Sequence, residues 1–163
     1  MERVLIIGCP GAGKSTFGRK LAAITGLPLH YLDMLWHKPD RTTVSRGEFD
    51  RQLNKILTER QWIVDGNYAR TLDVRLRQCD TVFLFDLPTA TCLEGAISRI
   101  GHERPDMPWT ETELDDEFRQ WILNFRHDIL PEIMEKLKLH GEGKQTVIFH
   151  TRTEADNYLK SLV

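Results

Sequence analysis

The chain has no long hydrophobic run. Apolar stretches such as VLIIG and TVFLF stop after a few residues, whereas a membrane helix needs about 20. A membrane-spanning segment is therefore not expected, and VLIIG is too short for a signal-peptide core, which points to a cytoplasmic protein. Cysteine is scarce and odd in number: Cys9, Cys79 and Cys92, with no CxxC spacing. That pattern excludes a disulfide framework and a zinc-finger-type site. Cys79 and Cys92 read as small core residues, while Cys9 lies near a helix start, where a thiol pKa can be lowered. The six histidines show no metal-ligand spacing. No charge excess exists either, with 22 basic and 24 acidic side chains for a net charge of −2. A broad basic face is not implied, so DNA is a possible partner only through a local arginine cluster. Repeats, low-complexity tracts and linkers are absent as well.

What remains is an ordinary globular composition, 40% hydrophobic over 163 residues, which fits a single domain spanning 1–163. Five apolar runs recur: RVLIIG, LPLHYLD, QWIVDG, DTVFLFD and QTVIFH. Their near-continuous hydrophobicity predicts strands buried on both faces, and hence a parallel sheet. Helical patterns fall between them at 14–24, 46–59, 69–77, 89–100 and 153–162. A longer helix is expected over 111–139, with Thr110 as its N-cap, Glu113 as the capping-box partner and Pro131 as a kink or restart. The acidic Asp115 and Asp116 suit the positive end of its dipole, and Trp121 belongs to its apolar stripe. The alternation predicts a three-layer α/β/α sandwich. Two proline- and charge-bearing stretches, 34–45 and 101–109, read as loops over the ligand-holding edge of the sheet.

The first strand runs directly into GCPGAGKS, Gly8 to Ser15, which matches GxxxxGK[S/T] without departure. Gly8, Gly11 and Gly13 let the backbone turn so that successive N–H groups face phosphate oxygens, with Pro10 and Ala12 completing the loop. The helix that follows adds its N-terminal dipole. Lys14 is placed to reach β- and γ-phosphates, Ser15 to offer its hydroxyl to Mg²⁺, and Thr16 to donate to a phosphate. The pattern predicts a P-loop NTPase fold that binds a nucleoside triphosphate, ATP with Mg²⁺. It does not specify a reaction. Asn54-Lys55 runs on into Ile56-Leu57 within a helical pattern, so no NKxD base-reading motif exists to suggest a GTPase. DTVFLFD closes on a single acid, Asp86, which disfavours motor ATPases and helicases and leaves the small kinases.

VDGNYART, residues 64–71, resembles the DGFPRT segment of adenylate kinases. The resemblance implies a five-stranded sheet of adenylate-kinase type, with Asp65 ordering Mg²⁺ through water and Arg70 gripping an acceptor phosphate. SRIGHER resembles the arginine pair framing that family's lid, which implies phosphate-facing roles for Arg99 and Arg104 and a short lid over 99–110. Over nearly the whole chain, WIVDGNYARTLDVRLRQCDTVFLFDLP, RPDM, EFRQWILNFR and LDMLWHKP resemble the bacterial DNA topology modulation proteins, P-loop kinases related to adenylate kinase. The acceptor is expected along 34–60. Asp33, after the second strand, orients an acceptor hydroxyl, touches ribose or water, or caps a turn. Trp36 and His37 stack on a base or pack the loop down. Arg119 and Arg126 face phosphates or solvent. Arg152 and Thr151, after the last strand, lie where relatives hold adenine. The catalytic set is thus Lys14, Arg99, Asp65 and Asp33. The expected activity is ATP- and Mg²⁺-dependent phosphorylation of a nucleoside, nucleotide or small metabolite by a monomer or homodimer. The alternative is an ATP-binding regulator of DNA topology.

Overall fold

Five strands, β1 (Arg3–Gly8), β2 (Leu29–Tyr31), β3 (Trp62–Asp65), β4 (Thr81–Phe85) and β5 (Gln145–Phe149), pair in parallel in the order β2-β3-β1-β4-β5. The computed structural model describes all of residues 1–163. The central strands β3 and β4 are buried throughout, as is β1 beyond Arg3, while edge strands β2 and β5 are largely half-buried or exposed. That gradient explains why the central runs are the most uniformly apolar.

Chain direction fixes the layers. From β1 the chain crosses through α1 (Lys14–Thr25) past β3 to β2; from β3 it crosses through α4 (Ala69–Gln78) past β1 to β4. Right-handed crossovers in opposite directions put these helices on opposite faces. α8 (Arg152–Lys160) joins α1, and α7 (Leu130–His140) packs on α4. Phe17 of α1 anchors one layer, its ring centroid 4.9 Å from Phe83 and 5.4 Å from Phe85 and Phe149. Burying such a ring stabilises the fold by about 1.5–3 kcal/mol. The reversal of direction at β1 opens a crevice beyond the strands' carboxyl ends, the ligand position in open α/β sheets. No helix is long and apolar enough to cross a membrane.

Two expectations are corrected and a third is met with an addition. Residues Leu32–Trp36 form a short helix, α2, where a loop was expected from 34 onward; α3 (Arg46–Leu57) follows it. The long helix starts not at 111 but at Asp116: Asp115 caps α6 (Asp116–Asn124), accepting from the Phe118 N–H at 2.8 Å. Thr110 and Glu113 cap nothing, because Glu111 between them is held by the segment that follows α5 (Thr89–Ser98). Its carboxylate pairs with Arg104 at 3.3 Å and its carbonyl accepts from the Gly101 N–H at 2.7 Å. Pro131 marks the expected restart of the helix. A π-helical turn, Phe125–Ile129, intervenes, and Pro131 sits in the first turn of α7, where its missing N–H costs nothing.

Candidate active site

The phosphate loop joins β1 to α1 through left-handed glycines. Gly11 has φ 79°, and a Cβ there would lie 2.0 Å from the Cys92 carbonyl oxygen on α5 (Thr89–Ser98). Gly8 is held by Asn67, whose Oδ1 accepts from the Gly8 N–H at 2.9 Å and whose Nδ2 donates to the Gly8 carbonyl at 2.8 Å. Lys14 Nζ curls back to donate to the Cys9 carbonyl at 3.0 Å. Burial pulls its ammonium below the ordinary lysine range, against the pull of Asp65, Cys9 and Asp33. The Cys9 thiol is pushed up by its hydrogen bond with Cys92 and by burial, not lowered by the helix start. Cys79 and Cys92 are buried core residues as expected.

Two cavities, of about 440 and about 700 Å³, meet at this loop and share Lys14, Ser15, Arg99, Arg104 and Asp106. The smaller runs along the loop past Gly11, Gly13 and Thr16 to Arg152. Arg152 donates to the Gly11 carbonyl at 2.9 Å, tying α8 to the loop. The larger opens toward Asp33, His37, Trp109 and Trp121.

Register aligns the acids at their junction. Asp65 ends β3 opposite both Ile6 of β1 and Tyr31 of β2. Its Oδ2 accepts from the Ser15 hydroxyl at 2.6 Å. Burial raises its carboxyl pKa to about 6; Lys14 and Ser15 oppose the rise, and Asp33 and Asp106 add to it. Asp33, in the first turn of α2, accepts from the Tyr68 hydroxyl at 2.7 Å. Arg99 lines both cavities, and its buried Nε has no hydrogen-bond partner. Burial and the neighbouring Arg104 depress its pKa. Arg104, five residues further on, pairs with Asp106 and Glu111, each at 3.3 Å.

Three expected acceptor residues stand apart from this junction. Arg70 is turned outward, making two hydrogen bonds to Asp50 at 2.7 and 3.0 Å. Arg126 is exposed and pairs with Asp86 at 3.4 Å. Trp36 packs edge-on against Phe49, 5.7 Å between centroids, beneath Tyr68 and outside the cavity lining. Conversely Trp121, assigned to the core by its spacing, is half-buried and lines the larger cavity. His37 lines it too and meets Trp109 edge-on at 4.8 Å, joining the segment after α2 to the loop after α5.

Asn67, Arg75 and Asp106 make contacts at this site that the sequence pattern did not point to. Arg75 is fully buried without a carboxylate. It donates to the carbonyls of Gly66 at 2.8 Å and Tyr68 at 3.1 Å, and to that of Asn67. Burial lowers its pKa to about 9. It is the internal brace of the DGNY turn. The signal for it was its place one turn after Thr71, whose hydroxyl it also meets at 3.2 Å.

No protein-family model matches the chain. It is 22% identical to a shikimate kinase from Bartonella henselae over 96% of this chain and 79% of that one. It is 25% identical to an adenylate kinase from Thermotoga maritima over 91% of this chain and 84% of that one. Among solved structures, shikimate kinase from Acinetobacter baumannii, in complex with shikimate, superposes with a TM-score of 0.63 at 17% identity, covering 99% of this chain and 93% of that one. The fold is that of the P-loop kinases, and the relatives are kinases, consistent with a phosphotransferase. Their names differ in the acceptor.

Proposed function

We propose that the chain transfers the γ-phosphoryl group of ATP to a hydroxyl of a small molecule, with Asp33 receiving the hydroxyl proton. The observation that carries this reading is the contrast between two acceptor-side residues. Asp33 lies in the larger cavity, which Lys14 also lines, and is held there by Tyr68. Arg70, which an acceptor phosphate would need, is occupied by Asp50 outside it. The shikimate kinase likeness supports the same choice. The DNA topology modulation resemblance fits it as well, since those proteins are P-loop kinases.

In this reading the smaller cavity takes the nucleotide, with the loop's N–H groups and Thr16 on its phosphates and Arg152 bracing the loop. Lys14, Arg99 and Arg104 offset the charge that spreads over the transferred group. Ser15 and Asp65 suit Mg²⁺, because Asp65 Oδ1 is buried without a hydrogen-bond partner and a cation would satisfy it. Ser15 and Asp65 would hold the ion, and its charge would offset that of the phosphates. The acceptor oxygen attacks the γ-phosphorus, the bond to the β-phosphate oxygen breaks, ADP leaves and the proton passes to the Asp33 carboxylate. Trp109 and Trp121 give the acceptor an apolar wall.

A coupled assay of ADP release across polyols, cyclic hydroxy acids, nucleosides and nucleoside monophosphates tests the proposal. Turnover with a hydroxyl acceptor is expected. Turnover confined to monophosphates would overturn it.

A further inference from the structure

Asp106 has no part in the chemistry above. It belongs to an irregular lid segment, yet it is 5% exposed, one of the few buried charges in the chain. Arg104 reaches its Oδ2 at 3.3 Å and Arg19 its Oδ1 at 3.9 Å. Two arginines account for its charge but not for its direction. The same Oδ2 lies 3.3 Å from the Ser15 hydroxyl, across 91 residues of sequence.

That hydroxyl has one proton, and the 2.6 Å bond to Asp65 already uses it. Asp65 and Asp106 therefore converge on one oxygen with a single proton to share. Asp65 Oδ1 is enclosed in the same place with no partner at all, a costly state for a buried carboxylate. Side chains alone do not make a cage here, since no group of three or more His, Cys, Asp or Glu stands together. Mg²⁺ does not ask for one. It takes one or two carboxylates, keeps several waters and completes its shell with substrate phosphates.

We propose that Asp106 is the lid's contribution to the divalent-cation site, so that with nucleotide on the loop, metal binding and lid ordering are one equilibrium. Ser15 and Asp65 supply the fixed side and Asp106 the movable side. Arg104, bound to both Asp106 and Glu111, carries the constraint along the lid. The proposal rests on the nucleotide half of the reading above and is independent of the acceptor.

Mn²⁺ binding to the full chain with ADP, followed by the loss of free-ion electron paramagnetic resonance signal, tests it. Asp106→Asn is expected to weaken Mn²⁺ by about 10- to 100-fold, the usual effect of losing a metal-site partner. ADP affinity in EDTA should stay within about threefold. Glu111→Gln, which breaks the other ion pair of Arg104 but leaves Asp106 in place, should weaken Mn²⁺ by clearly less than Asp106→Asn does. In the unmutated protein, amide exchange over residues 102–109 with ADP bound should slow when Mg²⁺ is added. Unchanged Mn²⁺ affinity in Asp106→Asn, or exchange indifferent to Mg²⁺, would overturn the proposal while leaving the nucleotide site intact. Failure of the wild-type chain to bind ADP would overturn both.

Discussion

The Tyr68 hydroxyl donates to Asp33 Oδ1 across 2.7 Å, joining the short helix after β2 to the turn after β3. Tyr68 is held for this at φ 36°, an unusual value for a non-glycine residue, while Arg75 binds its carbonyl from behind. A strained residue braced by a buried arginine, aimed at a carboxylate in a cavity, is the pattern of a positioned catalytic group. Tyr68→Phe is expected to lower kcat by about 10-fold or more, the loss of one hydrogen bond to a charged group. The KM for ATP should not change, which separates lost positioning from a damaged fold.

Arg70 separates a hydroxyl acceptor from a phosphate acceptor. Its pair with Asp50 is exposed, and exposed pairs stabilise by about 0–1 kcal/mol. Arg70→Ala should therefore leave both the melting temperature and acceptor kcat/KM within about threefold or a few degrees of wild type. Steady-state kinetics and thermal unfolding check this.

Asp65 makes the ligand-free protein sensitive to pH. Burial raises its carboxyl above the ordinary value, to about 6. Between about pH 4 and 6 the folded state then binds more protons than the unfolded one. Stability falls as pH rises through that window and levels off above it. At about 1.4 kcal/mol per unit the loss is about 3 kcal/mol. Asp65→Asn should flatten that slope and raise the ligand-free melting temperature at pH 7 by about 5–10 °C. Mg²⁺ affinity with ADP bound should rise over the same window in wild type and be lost in the variant. Thermal unfolding from pH 4 to 8 and Mn²⁺ titration check the two halves.

Arg75 tests the brace. Lysine has one ammonium where the fork of Arg75 serves three carbonyls. Arg75→Lys should destabilise by about 2–4 kcal/mol, since buried acceptors lose their donors. Chemical denaturation measures it.

How much of this was legible depended on distance along the chain. Gly8 to Ser15 could be read because its requirements are local: turn, dipole and lysine lie within eight positions. The sheet could be read because burial on both faces writes itself as unbroken apolar runs. Asp65 came through its resemblance to a known motif. Asn67 and Asp106 could not be read this way. Each acts on the phosphate-loop region from 59 and 91 residues away, and neither leaves a periodic trace. Helix α2 spans five residues, too short for a 3.6-residue rhythm. Arg70 matches its motif position, while the Asp50 it pairs with lies on another helix and could not be foreseen from that motif. The long helix starts at Asp116 rather than 111 because the Arg104–Glu111 pair holds the preceding residues out of a helical start.

The central claim is that Asp33 serves a hydroxyl acceptor beside a separate nucleotide site. Acceptors are found by thermal-shift screening with ATP, because a ligand of the folded state raises apparent stability. The deciding measurement is then kcat for Asp33→Asn with that acceptor, alongside its ATP affinity. The account predicts a fall of about 100-fold or more, the scale of general-base catalysis, with ATP binding within about threefold of wild type. Undiminished turnover in Asp33→Asn would contradict it.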